Sequence, residues 1–170
     1  MIDCGFTKEN KWFRYKACAI IIEKGCVLFA GNSAADYFYP VGGAVHAGET
    51  AENAVIREVY EETGVHYDID RLAVIHENFF REDAEPLKGL DCHEISLYFL
   101  MKPRGTQELH SDSYTYGGLK ENMHWIPIEE LGDHRAYPSF LKEYLSCEHS
   151  GIEHIITDER TGVFQGEKPV

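Results

Sequence analysis

The chain lacks any apolar run near the ~20 residues that a membrane-spanning helix needs. Its longest run, Ala17 to Ile22, stops at Glu23. The first sixteen residues contain no apolar core of the signal-peptide kind, which argues against export. Cysteine is sparse: the five residues (Cys4, Cys18, Cys26, Cys92, Cys147) are odd in number, scattered, and form no CxxC pair. That pattern fits reduced, mostly buried thiols in a cytoplasmic protein and offers no zinc-ligand spacing. Positive charge is also short, with 16 Lys and Arg against 29 Asp and Glu, a net charge of −13 and a pI near 5.0. Such a surface repels polyanions, so general nucleic-acid binding is disfavoured, and a site for a phosphorylated substrate would need metal cations to offset its own carboxylates. No repeat, low-complexity tract or Pro/Ser-rich linker divides the 170 residues, which suit a single domain.

What is present reads as mixed strands with few helices. Residues 14–23 form a strand ending in the turn Glu23-Lys24-Gly25, with Cys26 to Ala30 returning as its hairpin partner. Tyr37 to Tyr39 is a short aromatic strand. Residues 72–80 and His93 to Met101 are strands flanking a charged excursion, Arg81 to Cys92. Thr106 to Lys120 is a polar loop near the site, and Asn122 to Ile128 holds a strand ending at Pro127. Pro138 to Cys147 is an amphipathic helix. Residues 148–170 form a C-terminal extension whose apolar patch, Ile152 to Ile156, is open to three roles: edge strand, homodimer contact or tail. The pattern predicts an α/β fold of the α+β type, a sandwich with a mixed sheet.

The chemistry concentrates between Gly43 and Val65. Thr50 is an N-cap candidate, Ala51, Ala54, Val55 and Val59 follow helical spacing, and Gly64 supplies the stop. Glu58, Glu61 and Glu62 occupy i, i+3 and i+4, within roughly one third of the helix circumference at about 100° per residue. Like charges so placed repel one another, and divalent cations would remove that cost. An all-oxygen donor set favours hard ions, Mg2+ or Mn2+, over zinc. The apolar face is largely separate from the acidic one, so one side can pack on a sheet while the other faces a cleft. Gly42 and Gly43 allow the backbone close to a metal or phosphate. Three acids at this spacing alone are more often a solvated helix face; Arg57, Glu49 and the glycines in register weigh against that reading.

These residues resemble the Nudix box, G-x5-E-x7-R-E-U-x-E-E-x-G-U with U aliphatic. Gly43, Glu49, Arg57, Glu58, Val59, Glu61, Glu62, Gly64 and Val65 satisfy each specified position. The resemblance extends over roughly residues 14–145 and implies a sheet sandwiched between helices, in an enzyme hydrolysing a nucleoside diphosphate linked to another group. It implies further that Glu58, Glu61 and Glu62 bind Mg2+, helped by a backbone carbonyl near Gly42, while Arg57 and Glu49 orient them. Water then attacks a bridging phosphorus with a glutamate as base. In the family that base varies: here it is Glu58 of the box or a loop glutamate, Glu121 or Glu108, with Glu121 also a candidate ligand. Two departures stand out: Val41 replaces the usual proline before the glycines, and His46 replaces a common acid. No basic pair follows Phe29, which leaves Arg14 to meet substrate phosphates.

His93 and Glu94 adjoin on a strand and point to opposite faces, so they do not easily clamp one ion; a structural or substrate-lining role suits them, and Glu94 is taken as the candidate substrate-binding residue. The alternative to an enzyme is a nucleotide-metabolite-binding module without hydrolysis, whose sign would be a lost box glutamate, and none is lost. RNA decapping is disfavoured by the charge. Downstream of the box, the proline of ADP-ribose enzymes, the tyrosine of dinucleoside polyphosphate enzymes and the NADH-type motif are absent. The nucleotide-type pyrophosphate is therefore left unnamed.

Overall fold

A computed structural model describes residues 1–34, 36–81, 86–115 and 118–160. In chain order the elements are strands β1 (Gly5–Lys8), β2 (Lys11–Ile20), β3 (Ile22–Glu23), β4 (Cys26–Asn32) and β5 (Gly42–Ala44). Helix α1 (Ala51–Thr63) follows, then β6 (Ile69–Arg81), β7 (Asp91–Met101) and β8 (Glu121–Pro127). A 3-10 turn (Ile128–Asp133), helix α2 (Phe140–Leu145) and strand β9 (Glu153–Asp158) complete the order.

The larger sheet runs β1-β2-β7-β6-β9, with β5 beside β2, and the smaller one runs β3-β4-β8. β2 pairs in parallel with β7 along its length, and β6 pairs in parallel with β9; the other pairings are antiparallel. Side chains alternate between faces, so odd and even positions of β2 feed different cores. Ala17, Ala19, Phe99 and Met101 meet the apolar stripe of α1, Ala51, Ala54, Val55 and Val59. Cys18, Ile20, Phe29 and Tyr98 meet Leu141 and Tyr144 of α2 on the opposite side. Helices therefore cover both faces of the sheets, the α/β/α sandwich expected. Ala17 to Ile20 are all buried, as a strand covered on both faces demands.

The caps of α1 are those the residues specify. The Thr50 hydroxyl accepts from the Asn53 amide, and Gly64 sits at φ 71° with its N–H on the Tyr60 carbonyl. A Cβ on Gly64 would stand 2.4 Å from the His110 carbonyl oxygen, so the loop after β7 requires glycine there.

Some boundaries differ from expectation. The first strand breaks at Ile21, and β4 pairs with it only over Ile22 and Glu23 before crossing to β8. Glu23 explains the break: it is 1% exposed, and its carboxylate accepts the Arg104 and Gly105 amides, fastening the loop after β7. The Tyr37–Tyr39 segment makes isolated bridges, Ala30 with Tyr39 and Phe38 with Ala136, rather than a strand; Pro40, lacking an N–H, cannot extend a ladder. The charged excursion is shorter than expected, because Arg81 and Asp91 are paired strand residues joined by an ion pair of 2.6 Å. Within it, residues 82–85 lie outside the described residues. So do 161–170 of the C-terminal extension, whose described part forms β9.

His76 is 2% exposed and shares a 2.8 Å hydrogen bond with Thr157 of β9. Burial pulls its pKa down to about 4, against ~6.5 in an unfolded chain. Between those values the unfolded chain takes up a proton that the folded one refuses. The stability is thus complete above pH ~6.5 and is lost as pH falls toward ~4, by on the order of 3 kcal/mol. Urea unfolding at about pH 7 and about pH 4.5 checks this: the drop should be smaller in His76→Gln than in the unmodified chain, and equal drops would contradict it.

Candidate active site

The two glycines of β5 let the loop approach both β2 and α1. Gly42 has φ 142°, and a Cβ there would lie 2.4 Å from the Ala17 carbonyl oxygen. A Cβ on Gly43 would fall into the Glu58 carboxylate, at 2.4 Å from Oε1 and 2.6 Å from Oε2. The Gly42 amide donates to Glu62 Oε1 at 2.9 Å, so Gly42 meets the helix through its N–H. Val41, in place of the family's proline, is fully buried and accepts from Ala19.

Arg57 ties the acids together. Its Nε and Nη2 grip Glu49 as a fork at 3.0 Å each, Nη2 also reaches the Ala44 carbonyl at 3.1 Å, and Nη1 donates to Glu58 at 2.7 Å and Glu61 at 3.2 Å. This fork holds the Glu49 carboxyl down at about 2. His46 donates its backbone N–H to Glu49, and its ring stands 3.4 Å from Glu49 and 3.6 Å from Asp3.

Glu62 is buried at 9% exposure. Burial first, then the neighbouring Glu121 and Glu58 carboxylates, push its pKa up to about 8, against the opposing Gly42 amide and Lys16. Its Oε2 is buried with no hydrogen-bond partner among the described residues. Burial also raises Glu58, partly offset by Arg57. Glu61 is more than half exposed and pairs with Arg57. Glu121 is buried, and its two oxygens each accept a hydroxyl at 2.6 Å, from Tyr39 and Ser113. Asn32 in turn donates to the Tyr39 oxygen.

Of the residues read from the sequence, Glu49, Arg57, Glu58, Glu61, Glu62 and Gly42 come together, with Glu121 beside Glu62. Glu108 is exposed and does not join them. Arg14 and Glu94 lie in facing register on β2 and β7, at the edge of the cluster. Lys16, Tyr39, Ser111 and Ser113 were not read from the sequence. Lys16 follows Arg14 by two residues, a strand-face spacing that could have disclosed it. Tyr39 and Ser113 carried no such signal, since their partner is distant in the chain or lies across a loop. Ser111 donates to the Glu62 carbonyl, which pins that loop to α1.

A family model described as the NUDIX domain matches residues 12–145. The chain belongs to the Nudix hydrolase family. A MutT-like protein of Streptomyces ambofaciens is 30% identical over 95 residues, 56% of this chain and 51% of that relative; the chain thus spans about half the length of the curated relative it matches. The MutT protein of Methanosarcina mazei Go1 has the same fold, with TM-score 0.61, 19% identity, and coverage of 82% of this chain and 94% of that one. An ADP-ribose pyrophosphatase of Streptococcus suis aligns with TM-score 0.54 and 13% identity, over 83% of this chain and 98% of that one.

Nudix hydrolases use divalent metal ions, and the residues here fit one. The donors are all oxygen, the glycine cradle leaves no side chain between loop and carboxylates, and Glu62 Oε2 is an acceptor lacking a partner. Among the described residues no three ligating side chains already stand as a closed cluster; Arg57 holds Glu58 and Glu61 instead. Gly43→Ala should displace Glu58 and weaken Mn2+ binding by at least about 10-fold, the scale on which disturbed ligand orientation acts. Calorimetric titration measures this, and unchanged affinity would contradict the placement of Glu58.

Proposed function

We propose that the chain is a Mg2+-dependent hydrolase, with Mn2+ as a substitute, that cleaves the diphosphate linkage of a small nucleotide-type substrate in the cytoplasm. Its Nudix domain carries residues 148–170 as an extension. The observation that carries this reading is the orphaned, buried Glu62 oxygen beside Glu58 and the glycine loop. Glu58, Glu61 and Glu62 would hold the cation, with Glu121 as a further ligand. A divalent cation bound there lowers the pKa of water and offsets charge developing on phosphate oxygens.

The chain's own groups do the rest. Arg57 anchors Glu58 Oε1, and among the described residues no hydrogen bond engages Glu58 Oε2. A desolvated carboxylate with one oxygen fixed and the other open suits a general base that takes a proton from water. Glu121 suits that task less, because hydroxyls already occupy both of its oxygens. Glu49 acts by keeping the Arg57 fork in place.

Glu62→Gln keeps the side-chain shape and the Gly42 contact but removes the charge. It should reduce Mg2+-dependent turnover by more than about 100-fold, beyond the loss typical of an outer-shell partner, while the thermal melt stays intact. The assay is a panel of nucleoside diphosphate derivatives with product identification. Undiminished turnover in the variant would overturn the metal assignment.

A further inference from the structure

The face of the larger sheet that α2 covers changes character along β2, β7 and β6. Strand register sets its side chains in rows. Trp12, Cys92 and Phe80 form the first, Arg14, Glu94 and Asn78 the second, Lys16, Ser96 and His76 the third, and Cys18, Tyr98 and Val74 the fourth. In the lower two rows Ser96, His76, Cys18, Tyr98 and Val74 are buried. There Phe140 of α2 packs on His76 at 4.8 Å and on Tyr98 at 5.4 Å between ring centroids. Above them Trp12, Arg14, Asn78, Phe80 and Glu94 are only partly buried, as is Lys16 at the end of the third row.

This upper half has a polarity. At one end Trp12 and Phe80 meet edge to face, with centroids 6.3 Å apart, across the buried Cys92. At the other, Lys16 stands 4.0 Å from Glu94, and Ser96 donates to Glu94 at 3.0 Å. Lys16 pairs with Ala44, and Cys18 with Gly42, across β2 and β5. The Gly42 amide donates to Glu62 and the Ala44 carbonyl accepts from Arg57, so the cationic end borders the acidic cluster. Arg14 makes no hydrogen bond or ion pair among the described residues. Trp12 lies four positions from Lys16, about 13 Å at ~3.3 Å per residue.

Aromatic rings present π faces, and such faces bind flat bases whatever their hydrogen-bond pattern. Two cations in series suit a run of phosphate oxygens. A carboxylate accepts hydroxyl hydrogens, as a ribose would offer.

We propose that this face is a nucleoside platform. The base stacks against Trp12 and Phe80, the ribose hydroxyls donate to Glu94, and the diphosphate passes Arg14 and Lys16 toward Glu58 and Glu62. The substrate it selects is a nucleoside diphosphate carrying an aromatic base, lying along β2. This assignment rests on the reading of the chain as a diphosphate hydrolase.

The test is calorimetric binding to the full chain with Mg2+, using α,β-methylene-ADP and, as the same bridge without a nucleoside, methylenediphosphonate. In Trp12→Ala, methylene-ADP should bind at least about 10-fold more weakly, the lower part of the range for loss of one stacked base, while methylenediphosphonate binds as before. Phe80→Leu should weaken methylene-ADP in the same direction and carries the test if Trp12→Ala fails to fold by circular dichroism. Equal affinity of variant and parent for methylene-ADP, equal loss for both ligands, or no binding of methylene-ADP to the parent chain would overturn the platform. If the parent cleaves nucleoside diphosphate derivatives but Trp12→Ala binds methylene-ADP unchanged, the platform falls and the reaction stands. If binding depends on Trp12 yet no linkage is cleaved, the platform stands and the reaction falls.

Discussion

The Arg57 guanidinium is the constraint on which the site depends. One planar group with donors in a fixed fork reaches Glu49, Glu58, Glu61 and the Ala44 carbonyl together. Four polar groups from the loop and the helix are thereby held in one geometry, and like charges that would repel along α1 are kept side by side. A lysine could offer a point charge but not that fork. The strain of clustering acids is answered locally for Glu49, Glu58 and Glu61, whereas Glu62 is left with one buried oxygen unsatisfied.

That asymmetry divides the acidic cluster by role. Glu49 is gripped on both oxygens and held ionised. Glu121 is fixed from the other side by the Tyr39 and Ser113 hydroxyls. Glu62 is desolvated and neighbours two other carboxylates, so its charge is costly to maintain without a cation. Fold and chemistry meet here: Gly42 and Gly43 exist because the backbone must reach these carboxylates, and β2 supplies the surface on which that loop pairs.

Much of this was legible in the residues. The helix Ala51–Thr63, its caps and the shared face of Glu58, Glu61 and Glu62 follow from local spacing, which a helix turns directly into geometry, whereas the part of Glu49 and Arg57 was implied by the resemblance to the Nudix box. The strands β6, β7 and β8 were legible as alternating or apolar runs, while the apolar patch that forms β9 was left open between strand, partner contact and tail. Less legible was anything set by distant pairing. The crossing of β4 to the smaller sheet depends on Glu23 being buried against the amides of Arg104 and Gly105, a contact no local pattern announces. Tyr39 reaches Glu121 across a sheet, and the alignment of Trp12 with Phe80 appears only once β2, β7 and β6 are in register. Arg14 and Glu94 were picked separately, and register makes them neighbours.

The claim most exposed to test is that the glycine loop and α1 enclose a divalent cation. Anomalous diffraction from crystals soaked in Mn2+ addresses it without reference to any substrate. A peak should appear bounded by the Glu58 and Glu62 carboxylates beside Gly42, with Arg57 still joined to Glu49. No peak in this cleft at saturating Mn2+, or a peak held by other residues alone, would contradict it.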